Sequence, residues 1–214
     1  MGNMSEKILT IFVLIGTIPA AISGAMLGIR KRIDLLGVCV LGITTGVGGG
    51  IIRDLILGNT PPQAFRNPIF ALTAFGTAVL TFLPPVHRLF ERQPKIYTML
   101  MLVTDSIGLG VFTVAGVQTA KDFYPGSGLF LLIFVGTVTG VGGGVLRDLL
   151  AAEEPYILAK RHLYAGACIL GALLCALLWD PLGKIWSMSI SAAFIFIFRL
   201  LSAHYHWKMP RAAD

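Results

Sequence analysis

The sequence predicts an all-α membrane protein with seven transmembrane helices, arranged as two inverted three-helix repeats plus a seventh helix. Three observations predict this fold. The 214-residue chain is 55% hydrophobic and only 13% charged, with a mean hydropathy of +0.79, whereas soluble domains are about 25% charged. Seven apolar stretches have the length and spacing of membrane spans. A glycine-rich segment occurs twice, in the second stretch and in the fifth.

The seven apolar stretches follow one another with short connections, which leaves no room for a sizeable soluble domain. The first is interpreted as a retained span and not as a signal peptide, because Glu6 and Lys7 precede it in place of a basic cluster. In chain order the predicted spans are Ile8–Ile29, Leu35–Leu57, Pro68–Leu83, Ile96–Val117, Gly128–Leu150, Leu163–Leu178 and Ile185–Leu201.

The basic residues between the spans predict the orientation. One side of the membrane carries Lys7, Arg66, Lys121 and Lys184; the other carries Arg30, Lys31, Arg32, Arg88, Arg92, Lys95, Lys160, Arg161, Lys208 and Arg211. Cytoplasmic loops are enriched in Lys and Arg, so the N-terminus is predicted outside and the C-terminus in the cytoplasm. This bias explains the net charge of +6, which therefore does not indicate nucleic-acid binding. Residues 30–32 are interpreted as a topology determinant, with contact to anionic membrane lipids as the alternative.

The internal repeat is the strongest signal in the sequence. Residues 42–55 and 136–149 are identical at ten of fourteen positions at an offset of 94, and upstream an offset of 92 pairs Gly16 with Gly108 and Gly24 with Gly116. A repeat of three spans reverses the orientation of its second copy, which predicts an axis of pseudo-symmetry in the membrane plane. The predicted units are residues 1–94, residues 95–183 and a final helix with its tail, residues 184–214.

The duplicated glycines predict a membrane-central site between spans 2 and 5. Three successive glycines disfavour a helix by about 1 kcal/mol each relative to Ala, so a bend or break is expected there. Freed carbonyls in a wet cavity would replace part of a cation's hydration shell; close helix packing through small residues is the alternative. The candidate pathway residues are Gly48, Gly49 and Gly50 in span 2 and Gly142, Gly143 and Gly144 in span 5.

Polar residues accompany both glycine runs. Arg53-Asp54 and Arg147-Asp148 follow them by about one helical turn. Because adjacent helical residues point about 100° apart, each arginine is expected to meet a carboxylate of another helix, for example Arg53 with Asp148; the alternative is a pair of interfacial anchors. Such mixed charges are expected to face the pathway.

Thr45 and Thr139 precede the glycine runs and either line the same path or bond back to a helical carbonyl. Asp105 in span 4 is expected to be paired, hydrated or protonated, and its counterpart in the first repeat is Val13. Arg199 near the end of span 7 is expected to extend to the interface. No catalytic constellation, cofactor site or metal cluster is found, so the protein is predicted not to be an enzyme.

The duplicated Thr-Gly-Val-Gly-Gly-Gly-x-x-Arg-Asp motif, within a three-plus-three-plus-one pattern of spans, resembles the prokaryotic branch of the trimeric intracellular cation (TRIC) channels. The resemblance covers about Ile8 to Leu201. It implies a homotrimer in the prokaryotic inner membrane, with one pore per subunit between the glycine helices, conducting monovalent cations and chiefly K⁺. The Lys-Glu-Val motif that animal members use for phosphoinositide binding does not occur here.

A second function stays open at this point. Inverted repeats with broken helices are also the architecture of secondary transporters, and some bacterial proteins with this repeat are named glycine transporters. The short loops and the scarcity of unpaired carboxylates favour a channel. A transporter for a small amino acid such as glycine is the alternative.

Overall fold

The computed structural model describes residues 2–86, 93–158 and 163–207, with side chains from residue 10 onward. All regular structure in these ranges is helical. The helices are α1 (Gly2–Arg30), α2 (Leu35–Ile56), α3 (Gln63–Arg66), α4 (Ile69–Phe82), α5 (Pro94–Phe123), α6 (Leu129–Leu150) and α7 (Tyr164–His204).

Five of these helices are long and apolar enough to cross a membrane, namely α1 from Thr10 onward, α2, α5, α6 and α7. α4 is apolar but has only 14 residues, about 21 Å of helix at about 1.5 Å per residue. Each of the predicted spans 1 to 5 coincides with a helix. The ends agree within two residues, except that α1 begins six residues before span 1 and α5 ends six residues after span 4. The described part of the chain contains no strand.

α7 contains the last two predicted spans. Its 41 residues include a break at Gly183, where φ is 75° and ψ is 170°; a left-handed φ of this kind suits glycine because it has no Cβ atom. Gly171 in the first half packs against Ile195 in the second half. Near the break, the Ser187 hydroxyl lies 2.7 Å from the carbonyl oxygen of Leu178. The two halves of α7 therefore fold back on each other as a hairpin.

Small residues bring the helices together, and they do so at repeated positions. Cβ positions built on Gly42 and Gly46 of α2 face Ala78 and Ala74 of α4. The residues 94 positions further on repeat these contacts, because Gly136 and Gly140 of α6 face Ala172 and Cys168 in the first half of α7. α4 and the first half of α7 thus occupy equivalent positions beside the two glycine helices. Cys39, Cys168 and Cys175 are buried free thiols, as their apolar surroundings in the sequence predict.

Ion pairs join the helix ends in two separate groups. Lys31, after α1, pairs with Glu153, after α6, at 2.7 Å, and the bond from Lys31 lowers the pKa of the Glu153 carboxyl. In the other group, Lys121 in the last turn of α5 pairs with Asp180 near the break in α7, at 3.6 Å. The side chain of Lys7 and the residues Arg88, Arg92, Lys160, Arg161, Lys208 and Arg211, which contribute to the predicted charge bias, lie outside the described residues.

Candidate functional site

The two glycine runs meet at a crossing of α2 and α6. A Cβ atom built on Gly49 would fall within 3.0 Å of the Thr139 carbonyl oxygen, and one built on Gly143 would fall within 3.0 Å of the Thr45 carbonyl oxygen. Thr45 of α2 therefore lies beside Gly143 of α6, and Gly49 lies beside Thr139. Because the numbering rises along one helix and falls along the other, the two helices run antiparallel here. The backbones touch because neither glycine has a side chain. The predicted partnership of spans 2 and 5 is confirmed.

Of the bend or break expected at the glycines, a break is excluded, and a bend stays a prediction. α2 and α6 are continuous helices through Gly48–Gly50 and Gly142–Gly144, so their backbone carbonyls stay in helical hydrogen bonds. Backbone contact between the helices offsets the low helix propensity of glycine, which is the packing alternative considered for these residues. Gly48 and Gly142 lie in the same contact, facing Leu146 and Ile52 respectively, whereas the Cβ position of Gly50 has only Arg53 Nη2 nearby, at 3.8 Å.

The two threonines near the crossing bond back to their own helices. The Thr45 hydroxyl donates to the Leu41 carbonyl and the Thr139 hydroxyl donates to the Val135 carbonyl, each at 2.6 Å. Both side chains are buried. The hydroxyls therefore already have an acceptor, and each leaves lone pairs free towards the adjoining space.

Arg53 and Asp54 form an ion pair at the C-terminal end of α2. The Arg53 Nε and Nη2 atoms each lie 2.8 Å from Asp54 Oδ1. Asp54 Oδ2 accepts a hydrogen bond from the backbone N–H of Gln63 at 2.7 Å. The carboxylate thereby ties the start of α3 to the end of α2, and both charged side chains are buried.

Arg147 is the most connected side chain of the site. It is fully buried and binds Asp148 Oδ1 through Nε at 2.8 Å. Its Nη1 atom bonds Asp105 Oδ1 of α5 at 2.7 Å and also the hydroxyl of Ser23 in α1. As in the first repeat, the second carboxylate oxygen of the adjacent aspartate accepts from a loop N–H, here that of Tyr156 at 2.9 Å. One arginine therefore holds three helices together.

The predicted cross-repeat pair of Arg53 with Asp148 does not form, because each arginine binds the aspartate that follows it. A separation of 100° around the helix does not prevent this contact at a helix end. There the loop N–H groups of Gln63 and Tyr156 hold the carboxylates beside the helix, within reach of the flexible guanidinium. The expectation of a partner on another helix is right for Arg147 with Asp105.

Two cavities lie on opposite sides of the α2–α6 crossing. The first, here called the Arg53 cavity, has a volume of about 60 Å³, and its lining includes Gly50, Arg53, Asp54, Phe112 and Thr139. The second, here called the Asp105 cavity, has a volume of about 10 Å³, and its lining includes Thr45, Asp105, Phe112, Gly143, Gly144 and Tyr164. Each cavity combines the C-terminal half of one glycine helix with the threonine of the other. By volume the first has room for several water molecules and the second for about one.

The candidate residues thus separate into two groups. Thr45, Gly50, Arg53, Asp54, Asp105, Thr139, Gly143 and Gly144 line a cavity, whereas Gly48, Gly49, Gly142, Arg147 and Asp148 lie in the helix crossing or behind the cavity wall. Sequence reasoning did not find Ser23, Tyr164, Gln63 or Phe112. Of these, Phe112 had a signal in the sequence, because the other repeat has Ala20 at the matching position.

Arg199 is buried, which corrects the expectation that it extends to the interface. Its side chain is 1% exposed, and its guanidinium lies 4.8 Å from the ring centre of Tyr164. Tyr164 closes one side of the Asp105 cavity. Arg199 therefore adds a second buried cation behind that cavity. Among the described residues, no group of three or more His, Cys, Asp or Glu side chains is placed to hold a metal ion.

Comparison with known proteins identifies relatives over most of the chain. The profile of a family described as glycine transporter matches residues 10–84 and 102–180. The UPF0126 inner membrane protein YadS of Escherichia coli (strain K12) is 37% identical over 205 residues, which cover 94% of this chain and 94% of YadS. These matches place the chain among multi-pass membrane proteins.

Solved structures with the same fold cover nearly the full chain. The TRIC trimeric intracellular cation channel orthologue from Rhodobacter sphaeroides superposes with a TM-score of 0.83 at 33% identity, over 94% of this chain and 99% of that one. A prokaryotic TRIC channel crystallised in 0.5 M KCl superposes with a TM-score of 0.85 at 30% identity, over 95% of this chain and all of that one.

Proposed function

From the fact that the chain belongs to the trimeric intracellular cation (TRIC) channel family, we propose that it is a passive channel for monovalent cations, chiefly K⁺. The observation that carries this proposal is the pair of cavities on the two sides of the α2–α6 crossing. Both combine charged groups with hydroxyl oxygens, which a cation can use in place of water.

The ion pathway runs, in this proposal, from the Arg53 cavity past the glycine crossing into the Asp105 cavity. Each cavity contains a carboxylate that is already paired with an arginine. The paired charges keep the net charge of the path near zero and retain oxygen atoms that can face a passing ion. A hydrated cation needs more room than the Asp105 cavity provides, so the described conformation corresponds to a closed channel.

In this proposal the chain crosses the membrane seven times. Residues 1–94 and residues 95–183 form two inverted repeats, and residues 184–214 contain the last span. The antiparallel α2–α6 crossing and the contacts that recur at an offset of 94 support it. The ion pair of Lys31 with Glu153 supports placing the ends of α1 and α6 on one side of the membrane. The ion pair of Lys121 with Asp180 likewise supports placing the end of α5 and the break in α7 on one side. The charge bias then places the N-terminus outside and the C-terminus in the cytoplasm.

The assembly is proposed to be a homotrimer in the inner membrane, with one pore within each subunit. The support is the name of the Rhodobacter sphaeroides relative, a trimeric channel. The outward faces of the helices carry large apolar side chains, among them Leu72, Leu80 and Phe130, which contact lipid or neighbouring subunits. Apart from the permeant K⁺, this proposal involves no cofactor, bound metal ion or nucleic acid.

A secondary transporter of glycine is the second candidate, favoured by the description of the matching family profile. In a transporter, an ion-coupled carboxylate has to exchange its partner during the cycle. Asp105 is the acidic residue of span 4, and its contact with Arg147 at 2.7 Å would have to open in each cycle. Uptake by a transporter saturates with glycine and is lost in Asp105→Asn, whereas K⁺ flux through a channel does not saturate in this way.

The experiment that tests the channel compares K⁺ flux into proteoliposomes for Gly50→Leu and Gly76→Leu. Gly50 lines the Arg53 cavity and has only Arg53 Nη2, at 3.8 Å, near its Cβ position, so a leucine fills the cavity without disturbing the helix crossing. Gly76 in α4 has open space at its Cβ position and lines neither cavity. We expect flux to fall in the first variant and to persist in the second. Equal flux in both variants contradicts the proposed path.

A further inference from the structure

Phe112 connects the two cavities. Among the described residues it is the one side chain that lines both the Arg53 cavity and the Asp105 cavity. Its ring is 9% exposed and packs with Ala20 and Val111 in a small apolar cluster between α1 and α5. The walls on either side carry Arg53 and Asp54 in one cavity and Asp105 in the other. An apolar ring therefore separates two polar spaces.

The packing of α1 holds this ring in place. The Cε1 atom of Phe112 lies 3.3 Å from the position that a Cβ atom on Gly16 would occupy, and Val111 lies closer still. The absence of a side chain at Gly16 lets the ring rest on the α1 backbone. The ring is thus wedged at the α1–α5 contact, between two cavities that are each lined by residues of both α2 and α6.

The other repeat has a small residue at the position that matches Phe112. The offset of 92 that pairs Gly16 with Gly108 pairs Phe112 with Ala20. Ala20 lines the Asp105 cavity, and its methyl group contacts the Cβ position of Gly108 much as the α5 side chains contact that of Gly16. At equivalent positions, one half of the molecule has a methyl group and the other has a phenyl ring. The narrowing is therefore contributed by one repeat alone.

We propose that the ring of Phe112 is the apolar neck of the ion pathway, and that its size limits the current through each subunit. This inference rests on the channel function proposed above and adds the residue that sets its conductance. Apolar constrictions close pores by excluding water, because an ion cannot shed its hydration shell where no oxygen replaces it. Loss of the ring merges the Arg53 cavity with the Asp105 cavity into one continuous polar space.

Single-channel recording of Phe112 variants in planar bilayers tests this inference. We expect Phe112→Ala to raise the unitary conductance at least about twofold, Phe112→Leu to raise it less, and Phe112→Trp to lower it. Phe194→Ala is the matched control, because Phe194 is a half-buried phenylalanine that packs against the core and lines neither cavity. Its unitary conductance should equal that of the wild type.

The leucine variant keeps the test decisive if the alanine variant does not fold, since leucine retains most of the apolar contact with α1. If folded Phe112→Leu and Phe112→Trp both show the unitary conductance of the wild type, Phe112 is not the neck of the pathway. The channel proposal is unaffected by that result. An equal increase in Phe194→Ala also overturns the neck, because the effect would then follow the loss of any packed aromatic ring. A wild-type protein that is inserted and silent overturns the channel proposal, and the neck with it.

Discussion

Alanine at Gly49 tests the backbone contact between α2 and α6. The new methyl group would fall within 3.0 Å of the Thr139 carbonyl oxygen and 3.3 Å from the nitrogen of Gly143. The neighbouring variant Gly50→Ala adds the same methyl group with its nearest neighbour, Arg53 Nη2, at 3.8 Å. Both variants gain the same helix propensity, about 1 kcal/mol. Comparison of the two therefore isolates the cost of the clash.

The expected cost follows from the geometry of the crossing. Both neighbours of the new methyl group at Gly49 are backbone atoms and cannot rotate away, so the two helices must separate. Overpacking of this kind costs about 1–3 kcal/mol, and a gap of roughly 1 Å forfeits a quarter to a half of the dispersion energy along the contact. At about 2–4 °C per kcal/mol for a chain of this size, Gly49→Ala should melt roughly 2–12 °C below Gly50→Ala.

The assay is the apparent melting temperature of the purified protein in one detergent, with the same buffer and heating rate for each variant. Gly143→Ala, which meets the Thr45 carbonyl in the same way, should reproduce the loss. If Gly49→Ala and Gly143→Ala melt at the temperature of Gly50→Ala, the two backbones are not in contact and the crossing described here is wrong.

Three further substitutions test other parts of the structure by the same thermal assay. Arg147→Met leaves the buried carboxylate of Asp148 and the partly buried one of Asp105 without their arginine and should cost about 3–5 kcal/mol; a loss below about 1 kcal/mol would contradict the buried ion pairs. Gly183→Ala forces a left-handed φ on a residue with a Cβ atom and should cost about 1–2 kcal/mol, and an unchanged melting temperature would exclude that backbone conformation. Glu153→Gln removes an exposed ion pair and should cost less than about 1 kcal/mol. Because the folded pKa of Glu153 is lowered, this contribution is present above the unfolded pKa and is lost as the pH falls through the folded value. If the wild type became more stable relative to Glu153→Gln as the pH falls, the lowered pKa of Glu153 would be contradicted.

Sequence periodicity predicts the helices well because the spans are long and apolar. The repeat also identifies α2 and α6 as partners, since the same glycine motif occurs in both helices. The continuity of both helices through three glycines could not be predicted in this way. Helix propensity describes an isolated segment, and the stabilising contact between Gly49 and the Thr139 carbonyl belongs to a different helix.

The ion pairs were predicted only in part, for a related reason. The sequence marks Arg53, Asp54, Arg147 and Asp148 as a duplicated charged set. Their pairing depends on N–H groups in the loops that follow, which hold the carboxylates beside their own arginines, and no periodic pattern encodes those loops. Phe112 is a different case, because an aromatic residue in an apolar span looks, in the sequence, like any other core residue. Only its comparison with Ala20 in the other repeat marks it as exceptional.

The most direct test of the central claim is the current through purified wild-type protein in a planar bilayer under a KCl gradient. The account predicts discrete steps with an ohmic open level and a reversal potential near the K⁺ equilibrium potential. In parallel, proteoliposomes from the same preparation should take up no labelled glycine against its gradient. A silent bilayer with protein shown to be inserted, together with saturable glycine uptake that is lost in Asp105→Asn, would contradict the channel and establish the transporter.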